Sequence, residues 1–272
     1  MIEVIAAAGI VTIQDGGRPG HMHEGLPPGG PLVPELLARA NAGAGNALLD
    51  AAFEVQGSLT IAAMASAVVA ADDGVPRTLE KGEPWTLACG AARVRYAAVR
   101  GGVDVPVVLG GRGTLLVAGL GGHDGRPLHR GDVLRVGSRA SVHSVPPPPP
   151  SLDRAIRVIP GPDVDRFDSK AMEVLLASNY RISMRSDRVG IRLEGPRLAR
   201  VDDDTALSAP MVRGAIQVPA SGEPIVLGPD HPTTGGYPVL ATVVRADLGA
   251  LAARPVGALV RLVAEGDTGR PR

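Results

Sequence analysis

The 272-residue chain has a single cysteine, Cys89, and few aromatic side chains: one Trp, three Tyr and two Phe. One cysteine excludes an internal disulfide and a cysteine-based metal cluster. Set in an apolar run, Cys89 reads as a small core residue in preference to a nucleophile. With 28 basic and 28 acidic residues, the formal net charge is zero. The chain therefore offers nucleic acid neither a basic footprint nor a base-stacking surface. No apolar run reaches membrane-spanning length and no signal pattern opens the sequence, which sets the expectation of a soluble, cytoplasmic protein. The familiar phosphate cradles are missing as well: there is no Gly-x-x-x-x-Gly-Lys-Ser/Thr loop and no strand-linked Gly-x-Gly-x-x-Gly. Gly119-Leu120-Gly121-Gly122 reads as a turn between strands. His21 and His23 would share a strand face, but no third ligand lies nearby, so no metal site is expected.

What the chain has in quantity is glycine (36) and proline (25), against 44% hydrophobic residues. Many turns joining short strands account for that balance. Strands are predicted over Met1–Val11, Leu59–Ala63, Ala67–Ala71, Trp85–Ala88, Arg93–Val99, Thr114–Ala118 and Val133–Val136. Pro34 suits the first turn of a helix running to Ala42, with a second helical piece over Asn46–Ala52. Pro146 to Pro150 form a stiff polyproline spacer. Beyond it come a strand at Ile156–Ile159, a helix over Val164–Ala177 capped by Asp163, and further strands near 180–184, 190–193, 225–227, 238–244 and 258–263. A short helical stretch is predicted at Asp247–Ala252. The domains expected are an N-terminal β lobe with a helical insert (1–144), a linker (145–151) and a C-terminal β lobe (152–272).

The two lobes are tied by a repeat. Val99-Arg100-Gly101-Gly102-Val103-Asp104-Val105-Pro106 matches Val212-Arg213-Gly214-Ala215-Ile216-Gln217-Val218-Pro219 at five of eight positions. Pro106–Gly110 then answers Pro224–Gly228 after five extra residues, Ala220–Pro224, and Gly131–Val136 aligns with Gly257–Leu262. One strand-turn-strand unit repeated at this distance implies related lobes. The places where the copies differ become candidates for function.

Two stretches carry candidate chemistry. Ser186–Pro196 sets Arg188 and Arg192 beside Asp187 and Glu194, either as a surface hairpin with weak ion pairs or as an arginine fork for a carboxylate or phosphate. Asp230-His231-Pro232-Thr233-Thr234-Gly235-Gly236-Tyr237-Pro238 joins a titratable pair, two hydroxyls and two glycines that admit a ligand to the backbone. The bland alternative is a long hairpin loop, whereas the first lobe has only Gly111-Arg112-Gly113-Thr114 there.

These residues, with Gly9–Arg18, Gly25–Gly30, Ala40-Asn41, Gly45-Asn46 and Glu54, resemble the biotin-dependent carboxyltransferase-like family. That family includes allophanate hydrolase subunit 2, the carboxyltransferase part of urea carboxylase and the C-type subunit of 5-oxoprolinase. The resemblance implies a mainly β protein with a few short helices, built as two related cyclophilin-like β-barrel lobes. It also implies a heterocomplex with a homologous B-type subunit and, in the 5-oxoprolinase type, a third hydrolase subunit. The leading reading is the C-type subunit of an ATP-dependent 5-oxoprolinase, which opens 5-oxoproline to glutamate. The alternatives are a carboxyltransferase acting on urea or a similar amide, and a non-catalytic regulator that antagonises a kinase inhibitor. With only Lys81 and Lys170 and no Met-Lys-Met segment, the chain would receive biotin on another protein.

In the leading reading Arg188 and Arg192 hold a carboxylate or phosphate and Gln217 bonds the lactam amide. Thr233, Thr234, Gly235 and Gly236 cradle the reacting oxygens beside Tyr237, and His231 is the acid or base. Gln14, Asp15 and Arg18 complete the site or face the partner. The chain departs from the family's pattern at Pro31-Leu32-Val33, where a small residue and an acid are usual. It departs again at His231-Pro232, where Arg-Gln is common, and at Val256-Gly257-Ala258 in place of Pro-Gly-Asp.

Overall fold

Strands β1 (Ile2–Gln14) and β2 (Ala52–Ala63) pair antiparallel along their whole length, from Ile2 opposite Ala63 to Gln14 opposite Ala52, with one irregularity between Val4 and Ala6. The computed structural model describes residues 1–138, 142–201 and 207–266. It separates into two units, Met1–Gly20 with Pro28–Pro150, and His21–Pro27 with Ser151–Arg272.

In the first unit β1 and β2 are joined by β3 (Ala67–Ala71), β4 (Pro76–Leu79), β5 (Pro84–Ala88), β6 (Arg95–Val99), β7 (Val103–Asp104) and β8 (Val133–Val136). The sheet runs β4-β3-β6-β2-β1-β8-β7, with β5 added on β2, and curls as a half-barrel. Val4, Val11, Ile13, Phe53, Val55 and Ile61 meet in its core, each fully buried. Each contributes about 1.5–3 kcal/mol by leaving water. Helix α1 (Pro34–Ala44) lays Leu37, Ala38, Ala40, Asn41 and Ala44 against this sheet.

No side chain caps the start of α1. Instead Glu54 Oε2 accepts the Leu32 N–H at 2.9 Å and the Tyr96 hydroxyl at 2.6 Å, while Tyr96 accepts the Val33 N–H at 3.1 Å. Two donors near the helix entry are thus satisfied from the sheet, although the chain lacks the usual acid there. Gly45 ends the helix in the left-handed conformation (φ 81°).

Four expectations for local structure are corrected. The predicted helix at Asn46–Ala52 is absent, because Asn46 Nδ2 bonds Asn41 Oδ1 and the Val99 carbonyl, and Asp50 accepts the Ala47 N–H. These bonds fold the backbone into a turn that leads directly to β2. Thr114–Ala118 is not a strand: Leu116–Ala118 forms a 3₁₀ turn. In the second unit the long helix over 164–177 breaks into a 3₁₀ turn (Val164–Arg166) and α2 (Ala171–Ala177), divided at Phe167, which is extended and bridges to Arg200. Asp163 does not cap; its carboxylate accepts the Val239 N–H at 2.8 Å.

The second unit contains β9 (Ile156–Pro160), β10 (Asn179–Ile182), β11 (Gly190–Glu194), β12 (Ala209–Pro210), β13 (Ala215–Gln217), β14 (Ile225–Leu227), β15 (Thr234–Gly235), β16 (Val239–Val243) and β17 (Leu259–Ala264). Seven close a barrel in the order β10-β11-β14-β13-β16-β9-β17, and β12 pairs with β15 as a separate ribbon. Helix α3 (Leu248–Ala252) precedes β17, its Gly249, Ala250, Leu251 and Ala252 all buried.

The repeat survives at both aligned segments. Gly131 (φ 91°) and Gly257 (φ 83°) each turn the chain into a strand, β8 and β17, and the Val-Arg-Gly segments share a second turn. Gly101 and Gly214 take φ 93° and 92°. In each case the next N–H bonds back to the valine that opens the motif, Gly102 to Val99 at 2.9 Å and Ala215 to Val212 at 3.2 Å. Beyond that turn each copy forms a short strand, β7 or β13, and only then do the copies diverge. Ile225–Leu227 is a barrel strand, whereas Val108 bridges to Gly111 around Leu109 (φ 51°) and Gly110 (φ 80°) in a tight turn.

Candidate active site

In the second unit the Asp230–Pro238 loop is held by pairing with residues 209–211. Thr234 lies opposite Pro210 and Gly235 opposite Ala209, and the Met211 N–H bonds the Thr233 carbonyl at 2.9 Å. Gln217, at the end of β13 and buried, directs Nε2 to the Met211 sulfur at 3.0 Å. A Cβ added at Gly235 would lie 2.8 Å from that nitrogen. The glycine therefore permits the approach of loop and amide, and the structure brings Gln217, Thr234 and Gly235 together. A thioether is a weak acceptor, so the Gln217 amide keeps donor capacity for a better oxygen. Thr234 and Tyr237 are exposed, and Thr233 and Gly236 half-buried.

His231 is 1% exposed, with Nδ1 at 2.8 Å from the Pro232 carbonyl. A carbonyl can only accept, so Nδ1 carries the hydrogen and Nε2 presents a lone pair. Burial pushes its pKa below the ordinary value; the Pro232 bond opposes this and the charge of Arg213 adds to it.

Arg188 is committed within the fold. Its Nε and Nη2 grip Asp230 at 2.7 and 2.9 Å, and both residues are buried. This bidentate pair fixes β11's approach to the start of the loop. Arg192, on β11, is half-buried, and its backbone N–H bonds Ser186 Oγ at 3.0 Å. Asp187 receives the Val189 and Gly190 N–H groups, each at 2.9 Å, and so shapes the turn into β11.

Gln14, Asp15 and Arg18 belong to the first unit. Asp15 accepts the backbone N–H groups of Gly17, Arg112 and Gly113 at 2.9, 2.6 and 3.1 Å. Gln14 Nε2 reaches Thr12 Oγ1 at 3.2 Å and the Thr114 carbonyl at 2.9 Å, and buried Arg18 bonds the Gly113 carbonyl. All three thus clamp the Arg112–Gly122 loop to the end of β1. A cleft of about 430 Å³ beside Asp15 is lined by Asp50, Asp104 and Arg112.

Met211 as the neighbour of Gln217, and the Glu54–Tyr96 pair beneath the helix entry, have no local signature in the sequence. Glu54 was visible only as part of the family resemblance. The Cys89 thiol donates to the Val55 carbonyl at 3.0 Å, and burial pushes its pKa up, both of which suit a core residue. No helix among the described residues is long and apolar enough to cross a membrane.

Residues 24–264 match the family described as carboxyltransferase domain, subdomain A and B, and the chain belongs to it. Among particular relatives, it is 36% identical to the C-type subunit of 5-oxoprolinase from Escherichia coli, across 97% of this chain and 91% of that one. It is 30% identical to the urea amidolyase of Lachancea kluyveri over 90% of its own length but 16% of the relative's. The solved urea carboxylase of Kluyveromyces lactis superposes with a TM-score of 0.86 at 25% identity, over 97% of this chain and 27% of that one.

Proposed function

We propose that the chain is the C-type subunit of a cytoplasmic, ATP-dependent 5-oxoprolinase, working with a homologous B-type subunit and a third hydrolase subunit. The observation that carries this reading is the near end-to-end match to the Escherichia coli protein at 36% identity. ATP, when bound in the complex, supplies the phosphoryl group that activates the lactam carbonyl. The chain's own residues bind and orient. Gln217 donates to the lactam, and Thr233, Thr234 and the Gly236 N–H group hold oxygens that gain negative charge. Neutral His231 takes a proton from the attacking water at Nε2. Arg192 receives the substrate carboxylate beside Tyr237, while Arg188 is a positioning residue acting through Asp230. Gln14, Asp15 and Arg18 shape a loop for the partner.

The test is co-expression with the B-type and third subunits, followed by assay of ATP consumption with 5-oxoproline. Activity requiring all three proteins, and reduced about 100-fold or more by Gln217→Ala and Thr234→Ala, is the expected result. Unchanged turnover in both variants would move the site elsewhere. The urea amidolyase relative favours one second reading, carboxyl transfer from biotin borne on another protein to urea or a similar amide. Inactivity with 5-oxoproline, together with transfer from a carboxybiotinylated carrier, would establish that instead.

A further inference from the structure

A second cleft, of about 730 Å³, opens on the outer wall of the closed barrel, lined by Arg154, Arg157, Arg254, Arg261, Asn179 and the carboxylate of Asp153, among others. It lies where β10, β17 and β9 adjoin: Asn179 stands opposite Arg261, and Leu262 opposite Ile156. Around the barrel β16 and β9 separate β17 from β13, which carries Gln217, so this cleft is distinct from the candidate active site.

The arginines play unequal parts. Arg154 and Arg157 both pair with Asp247, whose side chain is fully buried behind them. Arg254 is only 4% exposed. It donates from Nη1 to the Leu259 carbonyl at 2.9 Å and from Nη2 to the Arg154 carbonyl, while its buried Nε has no partner. No carboxylate pairs with it among the described residues. Arg261 is exposed on β17 and likewise has no ion pair there. Four guanidinium groups thus face Asp153 at the rim and Asp247 behind, and positive charge stays in excess even with Glu265, near Arg157, included.

A buried charged group with no carboxylate in contact is costly to desolvate, and an incoming anion offsets that cost. In keeping with this, burial pushes the Arg254 pKa below its ordinary value, with Asp153 opposing and Arg154 reinforcing that shift. Neutral backbone carbonyls orient Arg254 but do not cancel its charge. The volume is that of a small-molecule site, and guanidinium forks match the paired oxygens of phosphate and carboxylate groups.

We propose that this cleft binds a small, multiply charged oxyanion, received by Arg154, Arg157 and Arg261 above the fixed charge of Arg254. The inference does not depend on the 5-oxoprolinase reading. Its test is titration calorimetry of the full chain at low ionic strength, with inorganic pyrophosphate and, separately, succinate. Saturable binding of at least one, weakened about tenfold or more by Arg261→Ala, is the expected result. A response to pyrophosphate alone assigns phosphate groups to the site, one to succinate alone assigns carboxylates, and a response to both assigns the shared oxyanion chemistry. Arg261→Gln repeats the test should the alanine variant fold poorly, and unfolding curves verify both. No binding of either anion, or binding that both variants leave unchanged, overturns the proposal.

Discussion

Asp230 and Arg188 stand 42 positions apart in sequence, yet they form a buried two-bond pair at the base of the Thr233–Tyr237 loop. Such a pair gives little net stability over an apolar replacement, but breaking it strands a charge in a poorly solvated place. Asp230→Ala is therefore expected to lower unfolding free energy by about 3–5 kcal/mol, measured by urea denaturation. The double change Arg188→Met with Asp230→Leu should lose clearly less, because no charge is left alone. A loss under about 1 kcal/mol in Asp230→Ala would mean that the pair behaves as a surface ion pair. The same comparison separates positioning from chemistry. If Arg188 acts only through Asp230, Arg188→Lys should restore part of the turnover lost in Arg188→Ala without changing the pH profile of kcat.

At the scale of elements, the Val-Arg-Gly turn shows how one motif serves two surroundings. Gly101 and Gly214 share a left-handed φ near 92°, which strains any side-chain-bearing residue. Their neighbours differ. A Cβ at Gly101 would fall 2.0 Å from the Gly137 carbonyl oxygen, whereas at Gly214 the nearest atom is the tip of Leu248 at 2.9 Å. A side-chain tip can rotate away and a backbone carbonyl cannot. Gly214→Ala should cost about 1–3 kcal/mol and Gly101→Ala more, as read from thermal or urea midpoints. A neutral Gly214→Ala, or the reverse order, would contradict this account.

The repeat was legible because it is local in sequence, as were β2's second half, β3, β5 and the start of α1. Pairing partners were not legible, since Val108–Gly111 and Ile225–Leu227 begin from nearly the same residues and diverge through long-range hydrogen bonding. The helix expected at Asn46–Ala52 failed for a similar reason: two side-chain amides and a carboxylate outcompeted helical bonding. In the candidate site, Gln217, Thr234 and Gly235 were singled out from two separate stretches, which the fold brings together. No local pattern marked Arg188 as engaged by Asp230 or Asp15 as saturated by three backbone donors, because both depend on tertiary contacts.

At the scale of the molecule, the pH dependence of stability joins these pieces. Buried His231 has a folded pKa below its ordinary value of 6.5, so the unfolded chain takes up the proton first as pH falls. Its contribution is complete above about 6.5 and is lost as pH drops toward the folded value. The carboxylates act lower. The fork of Arg126 holds Asp132 well below its ordinary 3.8, helped by the His129 N–H and opposed by burial. For Asp247, burial works upward, but bonds from Arg157 and the charge of Arg154 prevail and the pKa is lowered. Both carboxylates contribute fully above their ordinary value and lose that contribution as pH falls below it. Urea midpoints should thus decline in two stages, the first beginning near pH 6.5 and the second below about pH 4. His231→Asn should flatten the first stage and leave the second, whereas Arg126→Ala should weaken only the second. An unchanged slope between pH 7 and 5 in His231→Asn would remove His231 as the buried neutral group that the proposed proton transfer requires.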